Sequence, residues 1–532
     1  MLPVELFPLL TPFVLVCVGA LVCLGFEAFL GRAAKHAVLP WLGAILLVAA
    51  GIAQAMNLNH EGHLHGVLAT DTARAWLSLS IIAAALIGLG GLQQSLARDD
   101  YPGGEPYALT LFAAAGAVLM VLAVDTIALF LGLELASLSV YALVGLRRGR
   151  RESNEALFKY FAMGAIFSAI FLYGAALAYG ATGTTHFGGA LVDGEARKPL
   201  LWLGQALMTI GLLFKVGAVP FHFWTPDAYT GAPSVVTGFM GAVIKVGGFA
   251  ALGALWLNAV AVFSGQPPAA PLALNAAVAV TALGQTTLER FHLIFLVLAL
   301  LSVVLGNFSA LRQTSARRLI AYSSVAHAGY MLLAFALPQD SSQFQLTSVW
   351  YYLVGYSICT AGALAALAAI SGKEDAGDDL NGLSGQGRAH PFYGMVATVF
   401  LVSIAGIPPT VGFLGKFLVF QDLIQKGKWP IALFAMIMAV VGAAYYLRLV
   451  ITLWSGSRSD ERRAPVRVLS GWTLSLAALA AVALIAIPNA MAGSPKERTV
   501  VGQAGPAVIP TERAVSAASA EAGRGNAGER AP

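Results

Sequence analysis

Long apolar stretches alternate with short polar segments along most of this chain. A membrane-spanning helix needs about 20 apolar residues, and fourteen stretches of that kind can be counted. They lie at 8–30, 37–56, 73–94, 106–123, 126–146, 155–179, 200–219, 233–262, 291–311, 318–337, 346–370, 391–424, 429–454 and 468–490. The pattern predicts an all-α polytopic membrane protein with about fourteen transmembrane helices.

Proline interrupts two of these stretches. Pro220 follows the seventh, and the sequence GIPP at 406–409 divides the twelfth. Proline removes a helical hydrogen bond and clashes with the carbonyl four residues back, so Pro408 and Pro409 should leave the carbonyls of Ile404 and Ala405 without helical partners. Paired breaks in two halves of a chain are typical of transporters with inverted repeats and an ion path. Kinks that serve packing alone are the alternative.

Composition and loop charge support this membrane topology. Of the 532 residues, 58% are hydrophobic and 11% charged, with a mean hydropathy of +0.75, whereas soluble domains carry about 25% charged residues. With fourteen spans, sixteen Lys and Arg residues fall in one set of loops and five in the other. Because basic residues gather in cytoplasmic loops, both termini are expected outside the cytoplasm. The net charge of +5 is spread over these loops and does not indicate nucleic acid.

Three regions are harder to interpret from the pattern. The segment 271–288 suits either a fifteenth span or a surface insert. An extra span would send the later arginine clusters to the wrong side, so 263–290 is predicted to be a loop or surface insert. The N-terminus lacks a basic region and a cleavage site, which indicates a retained first helix. The tail 492–532 is rich in Gly, Ala, Pro and charge and is predicted to be disordered.

Four lysines and one glutamate lie deep inside apolar runs: Glu134, Lys159, Lys215, Lys245 and Lys416. A charge at the bilayer centre costs about 2.5–3.5 kcal/mol on insertion scales, so such residues indicate function by default. All five can gain or lose a proton, and none is an arginine. The pattern therefore predicts a proton-handling membrane protein.

The five residues differ in how strongly they indicate a relay. Glu134 and Lys215 are predicted to form a switching pair, with a static buried ion pair as the alternative. Lys159 lies near a helix start, where its ammonium could instead extend to the interface. Lys245 lies about twelve residues into its span, which is mid-membrane at about 1.5 Å per residue. Lys416 follows the second break closely.

His327 lies in the middle of a predicted helix, close to Tyr322, Ser323 and Ser324. It is interpreted either as a proton-relay step between the two halves or as a hydrogen-bonded packing residue. The cysteines, Cys17, Cys23 and Cys359, fall in apolar segments and are expected to be inert. The sequence has no dinucleotide-binding or phosphate-binding glycine motif and no iron–sulfur, haem or metal-ligand spacing. We therefore expect no catalytic residue, cofactor or metal on this chain.

The motifs around these residues resemble a known family. LFLGLELASLSVYALVG, EALFKYFAMGAIFSAIFLYG, LLFKVGAVPFHFWTPDAYTGAP, IAYSSVAHAGYMLL and SIAGIPPTVGFLGKFLVF resemble the antiporter-like membrane subunits of respiratory complex I, most closely the N type of bacterial NADH:quinone oxidoreductase. Lysine at 416 distinguishes the chain from the M type, which has glutamate there. The absence of a long lateral helix after the fourteenth span distinguishes it from the L type.

The resemblance implies a domain organisation. It implies two inverted five-helix repeats with broken seventh and twelfth helices, and it matches Glu134, Lys215, Lys245 and Lys416 to the relay positions of the family. The expected division is 1–105 as a three-helix segment, 106–262 as the first repeat, 263–290 as the insert, 291–456 as the second repeat, 457–491 as the last helix and 492–532 as the tail.

The implied function is a proton-translocating membrane subunit of NADH:quinone oxidoreductase in the bacterial cytoplasmic membrane. NADH, flavin, iron–sulfur clusters and quinone would be bound by partner subunits, and the chain would contact other membrane subunits and lipid. A subunit of a multi-chain cation/proton antiporter is the alternative. A purely structural membrane subunit is a third class, which the buried titratable groups disfavour.

Overall fold

The computed structural model describes residues 6–187, 197–263, 274, 282–336, 346–456 and 467–488, and these are almost entirely helical. The helices are α1 Leu6–Glu27, α2 Arg32–Met56, α3 Thr72–Arg98, α4 Glu105–Leu122, α5 Thr126–Val144, α6 Arg151–Thr182, α7 Lys198–Val216, α8 Thr225–Gly231, α9 Ser234–Phe239, α10 Lys245–Phe263, α11 Ala282–Leu311, α12 Ala316–Phe335, α13 Thr347–Ile370, α14 Gln386–Ala389, α15 Pro391–Ala405, α16 Val411–Gln425, α17 Trp429–Trp454 and α18 Val468–Ala483. A π-helical segment, Met240–Ile244, joins α9 to α10. The predicted all-α membrane fold is confirmed.

In the described part of the chain, twelve helical segments are long and apolar enough to cross a membrane. The other two predicted spans are α12 and the pair α15–α16. Helix α12 is long enough but more polar, because it contains Arg317, Arg318 and His327. Helices α15 and α16 have only 15 residues each, because the break at 406–410 divides them. With that pair counted as one broken helix, the described residues have helices at all fourteen predicted positions.

Helix α11 begins at Ala282, and its membrane-spanning part begins at Arg290, next to the predicted start at 291. Residues 282–290 are therefore helical, so this part of the predicted insert 263–290 is not a loop. No proline or glycine lies between Gln285 and Phe291 to stop the helix. Apart from Leu274, the rest of the insert lies outside the described residues, and so does the tail 492–532. The last span ends at Ala483 and is followed by a 3₁₀ turn, Leu484–Ala486.

Two spans form the centre of the molecule. The first comprises α9, the π segment and most of α10, and its residues 234–261 are all buried. The second is α13, and its residues 348–370 are all buried. Gly248 of α10 lets α7 approach closely, since a Cβ at this position would lie 2.9 Å from Val216 and 3.7 Å from the Cβ of Lys215. A lysine in this centre cannot reach the membrane interface by extending its side chain.

The two ends of the helices are distinct. At one end, ion pairs join the loops that the charge count placed in the cytoplasm: Arg32–Asp100 at 2.9 Å, Arg147–Asp375 at 2.7 Å, Arg150–Glu374 at 2.6 Å and Arg317–Asp378 at 2.6 Å. We call this the basic end.

At the opposite end, strands β1 Gly62–Leu64 and β2 Leu68–Thr70 pair in antiparallel fashion. Single bridges extend this sheet from Leu68 to Ala123 and join Asp125 to His186. The small sheet therefore covers the start of α5 and the end of α6.

Candidate functional site

Three of the four predicted lysines are buried, namely Lys215, Lys245 and Lys416. Lys159 is not, because its side chain is 39% exposed and pairs with Glu155 at 2.7 Å and Asp227 at 2.9 Å. This exposure fits the alternative noted from the sequence, in which the ammonium extends to the interface, and a relay role for Lys159 stays a prediction. It occupies an open face of α6, beside α8 and the first break.

The first break begins directly after Lys215. Helix α7 ends at Val216, and Gly217 has φ +69°, a left-handed conformation that glycine adopts readily at helix ends. The indole Nε1 of Trp224 donates to the carbonyl of Phe214 at 3.0 Å, which satisfies one of the carbonyls left over at the helix end. The Lys215 ammonium is therefore free to reach helix α5.

On α5, Lys215 contacts two hydroxyl groups. Its Nζ donates to Ser137 Oγ at 2.6 Å and to Tyr141 OH at 3.2 Å. Ser137 and Tyr141 follow Glu134 by three and seven residues, so all three share one helical face.

Within the described residues, Glu134 and Lys215 form no ion pair, and Oε1 of Glu134 is buried without a hydrogen-bond partner. The two side chains are therefore not in direct contact here, and the switching pair stays a prediction. The hydroxyl groups of Ser137 and Tyr141 take the place of the carboxylate as partners of Lys215.

Lys245 follows the π-helical segment directly, and such segments are frequent at functional sites. Its ammonium donates to the carbonyl of Ser324 on α12 and lies 5.7 Å from the ring centre of Tyr356 on α13. Because Gly248 brings α10 against Lys215 of α7, the two lysines lie on helices in direct contact. Lys245 thus connects the first repeat to α12 and α13.

His327 lies one turn after Ser324 on α12. Its Nδ1 is 2.7 Å from the Tyr352 hydroxyl, and its Nε2 is 3.4 Å from the Tyr446 hydroxyl. The ring centre of His327 lies 4.8 Å from that of Tyr356 and 6.2 Å from that of Tyr330. With both ring nitrogens against hydroxyl groups, this histidine can take a proton on one side and release one on the other.

The second break begins as the first does, with a glycine of positive φ directly after the helix. Helix α15 stops at Ala405, Gly406 has φ +84°, and α16 begins at Val411. The Lys416 ammonium donates to the carbonyls of Ile404 at 3.1 Å and Ala405 at 2.8 Å. The two carbonyls that were predicted to lack helical partners therefore both accept a hydrogen bond from Lys416. The ammonium also lies at the negative end of the α15 dipole.

Aromatic rings connect the two central lysines. From Lys245 the contacts run through Tyr356, His327 and Tyr330 to Lys416, whose Nζ is 5.6 Å from the Tyr330 ring centre. We call these five side chains the central polar chain. Among the described residues, Lys215, Lys245 and Lys416 have no acidic partner and contact only neutral oxygens and rings.

Sequence reasoning missed most of these partners. The spacing from Glu134 could have indicated Ser137 and Tyr141. Tyr352 and Tyr446 come from α13 and α17, and no local pattern near His327 points to them. In the described ranges, no three His, Cys, Asp or Glu side chains gather in a way that would hold a metal ion.

A membrane bundle with two broken helices, each with a buried lysine at the break, defines a class of ion-translocating subunits. The chain belongs to the family described as NADH:quinone oxidoreductase/Mrp antiporter, TM, which matches residues 123–267 and 254–442. Each matched range contains one break.

Within that family the chain is of the subunit N type, as its motifs suggested. It is 35% identical to NADH-quinone oxidoreductase subunit N of Trichlorobacter lovleyi over 428 residues, 80% of this chain and 82% of the relative. It is 34% identical to the subunit N of Myxococcus xanthus over 524 residues, 92% of this chain and 95% of the relative. A chain of respiratory complex I from Thermus thermophilus has a TM-score of 0.72 and 31% identity, covering 91% of this chain and 100% of that one.

Proposed function

We propose that this chain is the proton-translocating subunit N of a bacterial NADH:quinone oxidoreductase. It lies in the cytoplasmic membrane with the basic end in the cytoplasm and both termini on the other side, in contact with lipid and with other membrane subunits of the complex. NADH, flavin, iron–sulfur clusters and quinone are bound by partner subunits, and we assign no redox group to this chain. Energy reaches it through electrostatic and conformational coupling.

The central polar chain carries this proposal. A charge at this depth costs about 2.5–3.5 kcal/mol, and Lys245 and Lys416 offset that cost only with carbonyl groups and aromatic rings. A change in nearby charge is therefore enough to switch each lysine between holding and releasing its proton. His327 lies between them with both ring nitrogens on hydroxyl groups, which suits transfer from one lysine to the other.

The first repeat supplies the remaining members of the relay. Lys215 lies on the helix in contact with Lys245, and Glu134 is on the same face of α5 as the hydroxyl groups that hold Lys215. A proton gained or lost at Glu134 changes the electrostatic potential at Lys215, since charges interact more strongly in a protein interior than in water. Lys159, paired with Asp227 beside the first break, is the outermost member of the relay.

The alternative function is a subunit of a multi-chain cation/proton antiporter, which the family description also covers. The partner subunits distinguish the two functions. Purification of the chain with its native partners, followed by mass spectrometry, is expected to recover NADH-dehydrogenase subunits. Recovery of antiporter subunits without them would support the alternative.

The relay itself is tested by Lys215→Ala in the assembled complex. We expect loss of most proton pumping and of quinone-linked turnover, because the step between Glu134 and Lys245 loses its titratable group. Pumping is measured with a pH-sensitive dye in membrane vesicles, with complex content checked by native gel. Lys373→Ala, at an exposed position of the basic end, is the control and should pump normally. A Lys215→Ala complex that is assembled and pumps like the wild type would refute the relay.

A further inference from the structure

A cavity lined by arginines lies at the basic end of the molecule, away from the central polar chain. Its volume is about 410 Å³, within the range of about 300–1,000 Å³ that is usual for small-molecule sites. Its polar lining comes from the start of α2, the turn after α3 and the residue before α18, and consists of Arg32, His36, Asp100 and Arg467. The other lining residues are alanines. The relay residues do not line this cavity.

The cavity has a net positive charge. Arg32 pairs with the carboxylate of Asp100 at 2.9 Å, but the two side chains are 53% and 78% exposed. The backbone N–H of Arg467 donates to Gln94 at 3.2 Å, and its guanidinium has no hydrogen bond or ion pair with any other described residue. Both ring nitrogens of His36 already contact tyrosine oxygens, so His36 offers no free donor. Two arginines and one aspartate together suit a ligand with one negative charge.

Two helices begin at this cavity without a capping side chain. Helix α2 starts at Arg32 and α18 starts directly after Arg467, and neither N-cap residue forms a side-chain hydrogen bond. The first N–H groups of a helix have no partner within the helix, and they favour anions. Arginine also binds phosphate through two parallel hydrogen bonds. The arginines and the helix starts together therefore suit an anion with several acceptor oxygens, such as a phosphate group.

A groove leads away from the cavity between α2 and α18, with α3 as its floor. A Cβ at Gly43 of α2 would lie 3.0 Å from Leu89 of α3, and a Cβ at Gly90 of α3 would clash with Thr473 of α18. The two helices therefore pack on neighbouring faces of α3. Leu86 projects between these two faces, and it is only half-buried.

The walls of this groove have apolar outer surfaces. Large exposed side chains follow the cavity on both helices, namely Val38, Trp41 and Ile45 on α2 and Val468, Trp472 and Leu476 on α18. Tryptophan is enriched at the headgroup level of membranes. A ligand whose phosphate group fills the cavity would thus have its apolar part beside the groove, which fits a phospholipid better than a soluble anion.

We propose that this cavity binds the phosphate group of an anionic phospholipid from the leaflet at the basic end, with acyl chains in the groove between α2 and α18. Arg32 and Arg467 bind the phosphate group, and Asp100 competes with it for Arg32. The single net positive charge favours phosphatidylglycerol over phosphatidylcholine, whose own ammonium group neutralises its phosphate. This inference goes beyond the proposed function and does not depend on it.

The site is tested by photo-crosslinking of the intact wild-type complex in proteoliposomes. Each preparation contains a trace of phosphatidylglycerol or phosphatidylcholine with a diazirine on one acyl chain, and adducts are mapped by mass spectrometry. We expect several-fold more phosphatidylglycerol than phosphatidylcholine adducts on α2 and α18 along the groove. Equal labelling by the two lipids would overturn the proposal. A lack of adducts in the groove, which is the result expected if a partner subunit covers it, would do the same.

The role of the arginines is tested with charge variants. Arg32→Gln and Arg467→Gln together should lower phosphatidylglycerol labelling several-fold, whereas Arg467→Lys keeps the charge and should keep most of the labelling. Arg312 is an exposed arginine at the same end that does not line the cavity, so Arg312→Gln is the control and should label like the wild type. Wild-type labelling in the double variant, or an equal loss in the control, would contradict the assignment.

Asp100→Asn should increase labelling, a result that misfolding cannot produce. Asp100 has φ +59°, a left-handed conformation that asparagine also adopts, so the turn should keep its shape. Without the carboxylate, Arg32 is available to the phosphate group, and phosphatidylglycerol labelling should rise several-fold. Labelling that stays level or falls would overturn the proposal.

Free phosphate is the other source of the same chemistry. Excess inorganic phosphate should not displace the labelled lipid, because acyl chains bury apolar surface in the groove and a soluble ion does not. Displacement would assign the cavity to soluble phosphate and overturn the lipid assignment. Since none of these measurements depends on proton pumping, failure of the proposed function would leave their outcomes unchanged.

Discussion

Substitution of Lys416 tests the second break, because this one side chain has two roles there. Its ammonium donates to the carbonyls of Ile404 and Ala405, which helix α15 leaves unpaired. It is also the last titratable member of the central polar chain. Three substitutions separate the two roles: Lys416→Ala removes both, Lys416→Gln keeps a hydrogen-bond donor, and Lys416→Arg keeps the charge.

The expected magnitudes follow from the contacts. Two buried carbonyls without partners cost about 1–3 kcal/mol each. The cavity of about 530 Å³ that borders Lys416 is lined mostly by apolar side chains, which offer the carbonyls no replacement donor, so we expect a loss within that range for each carbonyl in Lys416→Ala. A proton that passes this depth without a titratable side chain to bind it meets an energy cost of about 2.5–3.5 kcal/mol. Since each 1.36 kcal/mol changes a rate tenfold, this cost slows proton passage about 10²-fold.

Pumping and quinone-linked turnover are measured in vesicles, and stability is measured by thermal melting of the purified complex. We expect all three variants to lose pumping, because neither alanine nor glutamine can titrate and arginine cannot release its proton. Lys416→Gln should melt closest to the wild type, since its amide group can still serve the carbonyls. Full pumping in Lys416→Ala, or restoration of pumping by Lys416→Arg, would refute the reasoning.

Two further predictions concern Glu134 and Asp375. Glu134→Gln should impair pumping more than Glu134→Asp, because only aspartate can still gain and lose a proton on the face of α5 that contacts Lys215. Equal pumping in the two variants would favour a packing role for Glu134. Burial raises the pKa of Asp375, but the charges of Arg147, Arg317 and Arg98 lower it by a larger amount, so the pKa lies below the usual range for an aspartate. A lowered pKa means that its charge stabilises the fold at neutral pH and is lost only in acid. Asp375→Asn should therefore destabilise the complex by about 3–5 kcal/mol, the cost of unpairing a buried charge. The drop in melting temperature should be constant from about pH 8 to about pH 5, and a drop that vanishes within this window would contradict the assignment.

The geometry of the second break was predictable because its causes are local. Pro408 and Pro409 remove helical hydrogen bonds from residues only four positions back, so the unpaired carbonyls of Ile404 and Ala405 follow from the sequence. Their partner, Lys416, is only eleven residues beyond Ala405. A break and a lysine this close in the chain can be interpreted together.

The rest of the site depends on contacts that sequence does not encode locally. An apolar stretch shows that Lys159 is in a membrane helix but not which face of α6 is packed, and the structure places this lysine on an open face. The sequence of α5 does not determine which of its polar side chains Lys215 contacts. In the structure Lys215 contacts Ser137 and Tyr141 rather than Glu134. Tyr352, a partner of His327, comes from a different helix, brought there by the tertiary fold alone.

The central claim is that protons pass through the buried lysines of this chain, and Lys245 is the member that joins the two repeats. The most direct measurement is the number of protons pumped per NADH oxidised by purified Lys245→Ala complex in vesicles. Asn258→Ala serves as control, because Asn258 is a buried polar residue of the same helix. We predict that the Lys245→Ala complex assembles but pumps far fewer protons than the control at a reduced turnover. An assembled Lys245→Ala complex that keeps the wild-type ratio of protons to NADH would contradict the account.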